Sequence, residues 1–241
     1  MTFVRALAGT ATNEEAGTPS TTGGAFTCLC EIPVPASEGD VLVMGTRNQV
    51  PAAIDCDGLP DKFPTHRHDA AFWEGLGRAV ATFGFLEEIL AKAIFAFTAT
   101  RPYDEAELQQ AYDAWLPKLE RALMDPLGNL IDAYERAVRD HPAATIANLD
   151  HLLGDLRKAS EMRNILCHGS WGLPTADGAS VPFFVNRKKL VVDTAMNHEF
   201  LAQVQRHVAA LACAVMNTVT SMGWRVPGSG GPGKAILQDR S

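Results

Sequence analysis

The chain is poor in several things whose absence narrows what it can be. Lys and Arg total 21 against 28 for Asp and Glu, a formal charge of -7 over 241 residues. A globally basic nucleic-acid binder is excluded, and only a local basic site stays open. Cysteines number five, an odd count at wide spacing, and no export-type apolar run follows Arg5. Reduced thiols in a cytoplasmic protein are the expectation. The longest uncharged run, Val208 to Trp224, falls short of the roughly 20 apolar residues a membrane span needs. It also contains Asn217, Thr218, Thr220 and Ser221, so it reads as a buried helix of a soluble protein without a membrane partner. Aromatic residues are only 7%, yet 46% of the chain is hydrophobic, enough for a packed core and too much for wholesale disorder.

What is present is helical periodicity, framed by irregular ends. Residues 1–65 form an irregular N-terminal arm, Gly/Ser/Thr-rich at first, then broken by Pro33, Pro35, Pro51, Pro60 and Pro64 around one short strand candidate, Val41 to Met44. Residues 66–225 are the helical domain, and the Gly- and Pro-rich residues 226–241 read as a flexible C-terminal tail. That tail is no phosphate loop, because no strand-turn-helix pattern with Gly-Lys-Ser/Thr surrounds it.

Inside the domain, apolar residues recur at steps of three and four, the period of a helix with one buried face. The first such segment, about Asp69 to Thr98, carries Trp73, Leu76, Val80, Phe83, Leu90, Ile94 and Phe97 on one stripe. A second covers about Asp104 to Asp140, with breaks expected at Pro117 and Pro126. A third runs from about Ala143 to His168, with Gly169 where a left-handed C-cap would sit. The last spans about Asn197 to Met222, with Leu201, Val204, Val208, Leu211, Val215 and Val219 inward. Before it, Val181 to Val185 and Leu190 to Asp193 flank Asn186-Arg-Lys-Lys189 and read as a β-hairpin. The fold class is therefore all-α: a bundle of four to five helices with a small hairpin inserted before the last helix.

Two charges interrupt the apolar stripes. In the third helix the stripe Ile146, Leu149, Leu153, Leu156 extends to Ser160, Arg163 and Cys167, and in the first helix the gap between Phe83 and Leu90 falls on Glu87. A buried unpaired charge costs several kcal/mol, so each needs a partner or a polar cleft. A structural Glu87–Arg163 ion pair, or an Arg163 that snorkels to solvent, satisfies that need without any function. The neighbourhood adds the functional alternative. Arg163 opens Arg-Asn-Ile-Leu-Cys-His168, and Gly169-Ser-Trp171 follows. Asn164 and His168 are four residues apart and share a helix face, whereas His168 lies about 140° around an ideal helix from Arg163. A guanidinium that grips phosphate, an amide that positions a sugar or base, and an imidazole that moves a proton thus gather at one helix end. No carboxylate cluster accompanies them, so this chemistry calls for no catalytic metal and no cofactor.

Arg-Asn-x-x-x-His near a helix end in an all-α domain resembles the HEPN superfamily, whose active members use Arg-x4-His as a ribonuclease motif. The motif is matched by Arg163, Asn164 and His168, and the helix order extends the likeness over roughly residues 69–222. The resemblance implies a homodimer with both motif helices at the two-fold axis. It also implies metal-independent RNA cleavage by 2′-OH attack on the adjacent phosphate, with His168 as general acid/base and Arg163 stabilising the phosphorane. Many relatives are toxins of toxin-antitoxin pairs or phage-defence effectors with an antitoxin or inhibitor protein as partner, while others are non-catalytic nucleotide-binding or protein-interaction scaffolds. The acidic total stands against RNA binding, but residues 141–190 carry six basic and four acidic side chains, the most positive stretch. Its cations, Arg157, Lys158, Arg163, Arg187, Lys188 and Lys189, suffice for a local groove if the hairpin folds towards the motif. Trp171 would stack on a base, or else pack at the hairpin rim. Cys28, Cys30, Cys56, His66 and His68 lack the spacing of structural zinc sites, and Cys167 points about 100° away from His168, which leaves it as packing rather than a nucleophile.

Overall fold

A computed structural model describes residues 53–102, 125–185 and 191–236, together with positions 109, 110, 113 and 117. The expected strand Val41 to Met44, most of the expected helical region before Asp125, and Leu190 lie outside the described residues. Among the described residues the fold is mostly helical: α1 (Ala70–Ala99), α2 (Leu127–Arg139), α3 (Leu149–His168) and α4 (His198–Ser221). Two short strands, β1 (Ser170–Trp171) and β2 (Pro182–Phe183), lie between α3 and α4. No helix is long and apolar enough to cross a membrane among the described residues.

The helix starts follow from capping chemistry. Asp69 caps α1 by accepting from the Phe72 backbone N–H at 2.7 Å, and Asn197 caps α4 through Phe200 at 2.9 Å. α2 begins directly after Pro126, where the break was expected. α3 starts at Leu149, not at Ala143: Asn148 adopts a left-handed conformation ahead of it, and residues 141–147 are turn and loop. That loop is pinned by His141, 5% exposed, whose Nδ1 accepts from the Ala143 N–H at 3.3 Å while Nε2 meets the Thr100 hydroxyl at 3.3 Å.

α1 is the central element, packed most extensively on α4, next on α2, and more thinly on α3. Its Leu76, Phe83, Leu86, Leu90 and Phe97 are buried, and from α4 all six expected inward residues, Leu201 to Val219, are buried. At about 1.5–3 kcal/mol per fully buried large aliphatic or aromatic side chain, this seam is the main stabilising interface. Between α2 and α4 the Tyr134 hydroxyl meets the Thr218 hydroxyl at 2.9 Å, and burial pushes the Tyr134 phenol up to about 12.

In α3 the stripe departs from the alternating pattern after Leu156. Ala159, Met162 and Leu166 are buried, Ser160 and Arg163 are half-buried, and Cys167 is exposed rather than packed. Leu153, Leu156, Ala159 and Met162 follow one another at steps of three, and each such step turns the stripe back by about 60°. By the level of Met162 the buried face has rotated away, and Arg163 is left at its edge.

A hairpin lies between α3 and α4 as expected, but its pairing reaches beyond the expected strands. Bridges Ser180↔Met196 and Val185↔Val191 bracket one antiparallel ladder, joined by Val192 N–H to Phe184 C=O at 3.3 Å. Pro182 has no N–H to give that ladder, which interrupts it. The named strand pair is instead β1 with β2 on the opposite edge, Ser170 facing Phe183 and Trp171 facing Pro182. Beyond α4, in the segment expected as a tail, the Lys234 N–H donates to Gly223 C=O at 2.8 Å and Val226 is buried.

Candidate functional site

α3 delivers the motif residues to its C-terminal end. The helix ends at His168, and the Gly169 N–H closes the last turn on Ile165 C=O at 2.8 Å. Gly169 is not a left-handed cap: its φ of −71° and ψ of 137° are extended. What it supplies is space. A Cβ there would stand 2.6 Å from Ile165 O and 2.8 Å from Pro182 Cβ, so only glycine lets β1 leave the helix this close to β2.

Asn164 and His168 are both exposed, one turn apart on one face. Arg163 is 30% exposed and faces α1, where its Nε lies 3.9 Å from Glu87 Oε1, with Glu87 28% exposed. The inward charges of two stripes therefore meet across the α1–α3 seam, at a distance that makes the pair a loose one. Within one chain the structure brings Asn164 and His168 together and turns Arg163 aside.

The expected RNA-binding residues are differently engaged. Arg157 lies on the face of Asn164 and His168, about 16 Å along the axis from His168, but its guanidinium reaches α2, at 3.3 Å from Asp132 and in short contact with Glu135. Lys158 bonds Asp155 at 2.8 Å, and His151 reaches the other oxygen of that carboxylate at 3.3 Å. Both cations are thus balanced by local carboxylates. Trp171 is half-buried and edge-on to Phe72 of α1 at 5.0 Å, so it packs on the first helix. Arg187, Lys188 and Lys189 lie outside the described residues, as do Cys28 and Cys30. Cys56 is exposed, and no group of three or more His, Cys, Asp or Glu that could hold a metal ion occurs among the described residues.

Sequence reasoning missed the clasp that orients α3 on α2. Glu135 receives Arg139 at 2.9 Å and Arg157 as well, and Arg139 continues to Asp150 at the start of α3. Hydrogen bonds from Arg139 first and Arg157 second hold the Glu135 carboxyl below the usual carboxylate range. The Glu135–Arg139 spacing of four was readable as a helical pair. Arg157 and Asp150 join only through tertiary packing. On the other flank of α3, burial lowers the His207 imidazole of α4, partly countered by the Asp155 charge. Comparisons of the chain with protein-family models, curated proteins and solved structures found no match.

Proposed function

We propose that this protein is a metal-independent endoribonuclease of HEPN type, and the observation that carries the reading is the exposed end of α3. There Asn164 and His168 share one solvent-facing edge at the last turn, and Arg163 stands at the neighbouring seam beside Glu87. His168 takes the proton of a ribose 2′-OH and returns one to the leaving oxygen, Asn164 positions the sugar or base, and Arg163 stabilises the charged phosphorane. Glu87 holds the guanidinium in place until a phosphate competes for it. Because Arg163 and His168 point to different sides of one helix, a complete site draws on the motif helices of two subunits. The setting proposed for such an activity is a cytoplasmic toxin or phage-defence effector restrained by an inhibitor protein.

The test compares wild type with His168→Ala on structured and unstructured RNA in EDTA. Wild type is expected to cleave, leaving 2′,3′-cyclic phosphate ends, and His168→Ala to lose at least about 100-fold, the usual contribution of a general acid/base. Equal cleavage by both proteins, or none by wild type across the substrates, refutes the proposal.

A second reading, a non-catalytic HEPN-like nucleotide-binding or protein-interaction scaffold, draws on the balanced charges of Arg157 and Lys158 and on the Arg163–Glu87 contact. It predicts that Arg163→Ala weakens assembly or thermal stability in a protein that has no turnover to lose.

A further inference from the structure

Three of the helices end side by side. Phe97 of α1 lies against Tyr134 of α2, Tyr134 meets Thr218 of α4, and Thr100 past the end of α1 meets His141 past the end of α2. Where the three C-termini converge there is a cleft of about 380 Å³, within the ordinary size range of small-molecule sites. The motif end of the bundle is at the other end of α1, where Phe72 touches Trp171. The two places are roughly 40 Å apart along that helix.

The polar groups of the cleft are acceptors. Thr100 gives its hydroxyl proton to Ala96 C=O at 2.7 Å, and Ser221 gives its own to Thr218 C=O at 2.9 Å. What each hydroxyl has left is lone pairs. His141 Nδ1 accepts from the Ala143 N–H, so the ring proton is on Nε2, where it is spent on Thr100, and the imidazole is neutral. Around these groups stand the last carbonyls of three helices, each end equivalent to about half a negative charge. α3 begins nearby with the opposite sign, but Asp150 in its first turn offsets that end. Among the described residues lining the cleft none is charged, and the whole chain carries a formal charge of -7. The rest of the lining is apolar, chiefly Trp224, Met222 and Ile146. Lys234 already stands 5.9 Å from the centre of the Trp224 ring, which leaves the indole to an apolar body rather than to a second cation.

We propose that this cleft binds a small organic ammonium, a primary amine in its charged form. Its N–H groups meet the hydroxyls of Thr100, Thr145 and Ser221 and the helix-end carbonyls, and its hydrocarbon part lies on Trp224, Met222 and Ile146. An anion would face lone pairs and three negative helix ends, and an uncharged ligand would gain little from that field. The inference stands apart from the ribonuclease reading, because binding is measured without RNA.

The experiment is isothermal titration calorimetry on the full chain at neutral pH and low salt. The probes are 2-phenylethylammonium, its uncharged near-isostere 2-phenylethanol and the anion 3-phenylpropanoate. The ammonium should bind at least about 10-fold tighter than the alcohol, the difference between a charge-assisted and a neutral hydrogen bond. The anion should not bind. Thr145 is exposed in a loop, so its variants keep the fold. Thr145→Lys sets a competing cation in the cleft and should weaken the ammonium about five-fold, while Thr145→Asp should tighten it about two- to five-fold. Equal affinity for ammonium and alcohol, tighter binding of the anion, or no binding of the ammonium at millimolar concentration overturns the inference. So does ammonium binding that is the same in wild type and Thr145→Lys, since the cation is then held elsewhere on this acidic chain. None of these outcomes bears on RNA cleavage, which His168→Ala tests separately.

Discussion

Replacing Gly169 with alanine tests the junction that sets the motif helix against the ribbon. The backbone at Gly169 lies in an ordinary extended region, so alanine introduces no dihedral strain. On that account alone the substitution would stabilise by about 0.4–1 kcal/mol, through the less flexible unfolded chain. The methyl group, however, would sit 2.6 Å from Ile165 O and 2.8 Å from Pro182 Cβ. Neither atom is the free end of a flexible side chain: one is a carbonyl already accepting the Gly169 N–H, the other a ring carbon within β2. Overpacking of this kind costs about 1–3 kcal/mol; at the middle of both ranges the net loss is about 1.3 kcal/mol, a Tm about 3–5 °C lower for a domain of this size. Gly84→Ala provides the contrast. Gly84 is exposed on α1, where a Cβ would meet nothing within 4 Å, and alanine there should gain about 1 kcal/mol of helix propensity. Urea and thermal titrations followed by helix circular dichroism on both variants decide the matter. A Gly169→Ala protein as stable as wild type, or stabilised alongside Gly84→Ala, would show that the close approach of helix end and ribbon does not exist.

Two further predictions follow from the groups whose protonation the fold perturbs. Tyr134 has its folded pKa raised to about 12 from an ordinary 10.0, so its buried neutral form contributes stability that is complete below pH 10 and lost as pH rises towards 12. Wild type should therefore lose up to about 2.7 kcal/mol more than Tyr134→Phe across that window, and parallel alkaline unfolding curves for the two proteins would contradict it. Glu135 has its folded pKa lowered by Arg139 and Arg157, so its contribution is present above the ordinary carboxylate range and fades as pH falls through the lowered value. Glu135→Gln should cost no more than about 1 kcal/mol at neutral pH and less in high salt, because the pair is largely solvent-facing. A salt-independent loss would mean that the clasp acts through packing.

Much of the bundle was legible in the chain because helical period and capping are local properties. Asp69 and Asn197 are acceptors placed one residue ahead of apolar-periodic runs, and both cap helices. The α4 stripe from Leu201 to Val219 is buried at every expected position, since a helix packed along its length on one neighbour keeps one face inward. α3 has no such single neighbour. It touches α1, α2 and α4 in turn, and its buried face winds from Leu153 to Leu166, past Arg163 and away from Cys167. Glycine was equally ambiguous in one dimension: the residue marked the end of α3, but its reason is the proximity of Pro182, which lies 13 positions later.

The candidate site divides in the same way. Sequence by itself determined that Asn164 and His168 share an edge at a helix end, because a spacing of four and a terminating glycine are enough to say so. Only the tertiary structure decided that Arg163 turns to Glu87, that Arg157 is held by Asp132 and Glu135, and that Trp171 leans on Phe72. Charges and rings settle against whichever partner the packing of separate helices brings within a few ångströms, and no spacing along a single helix encodes that distance.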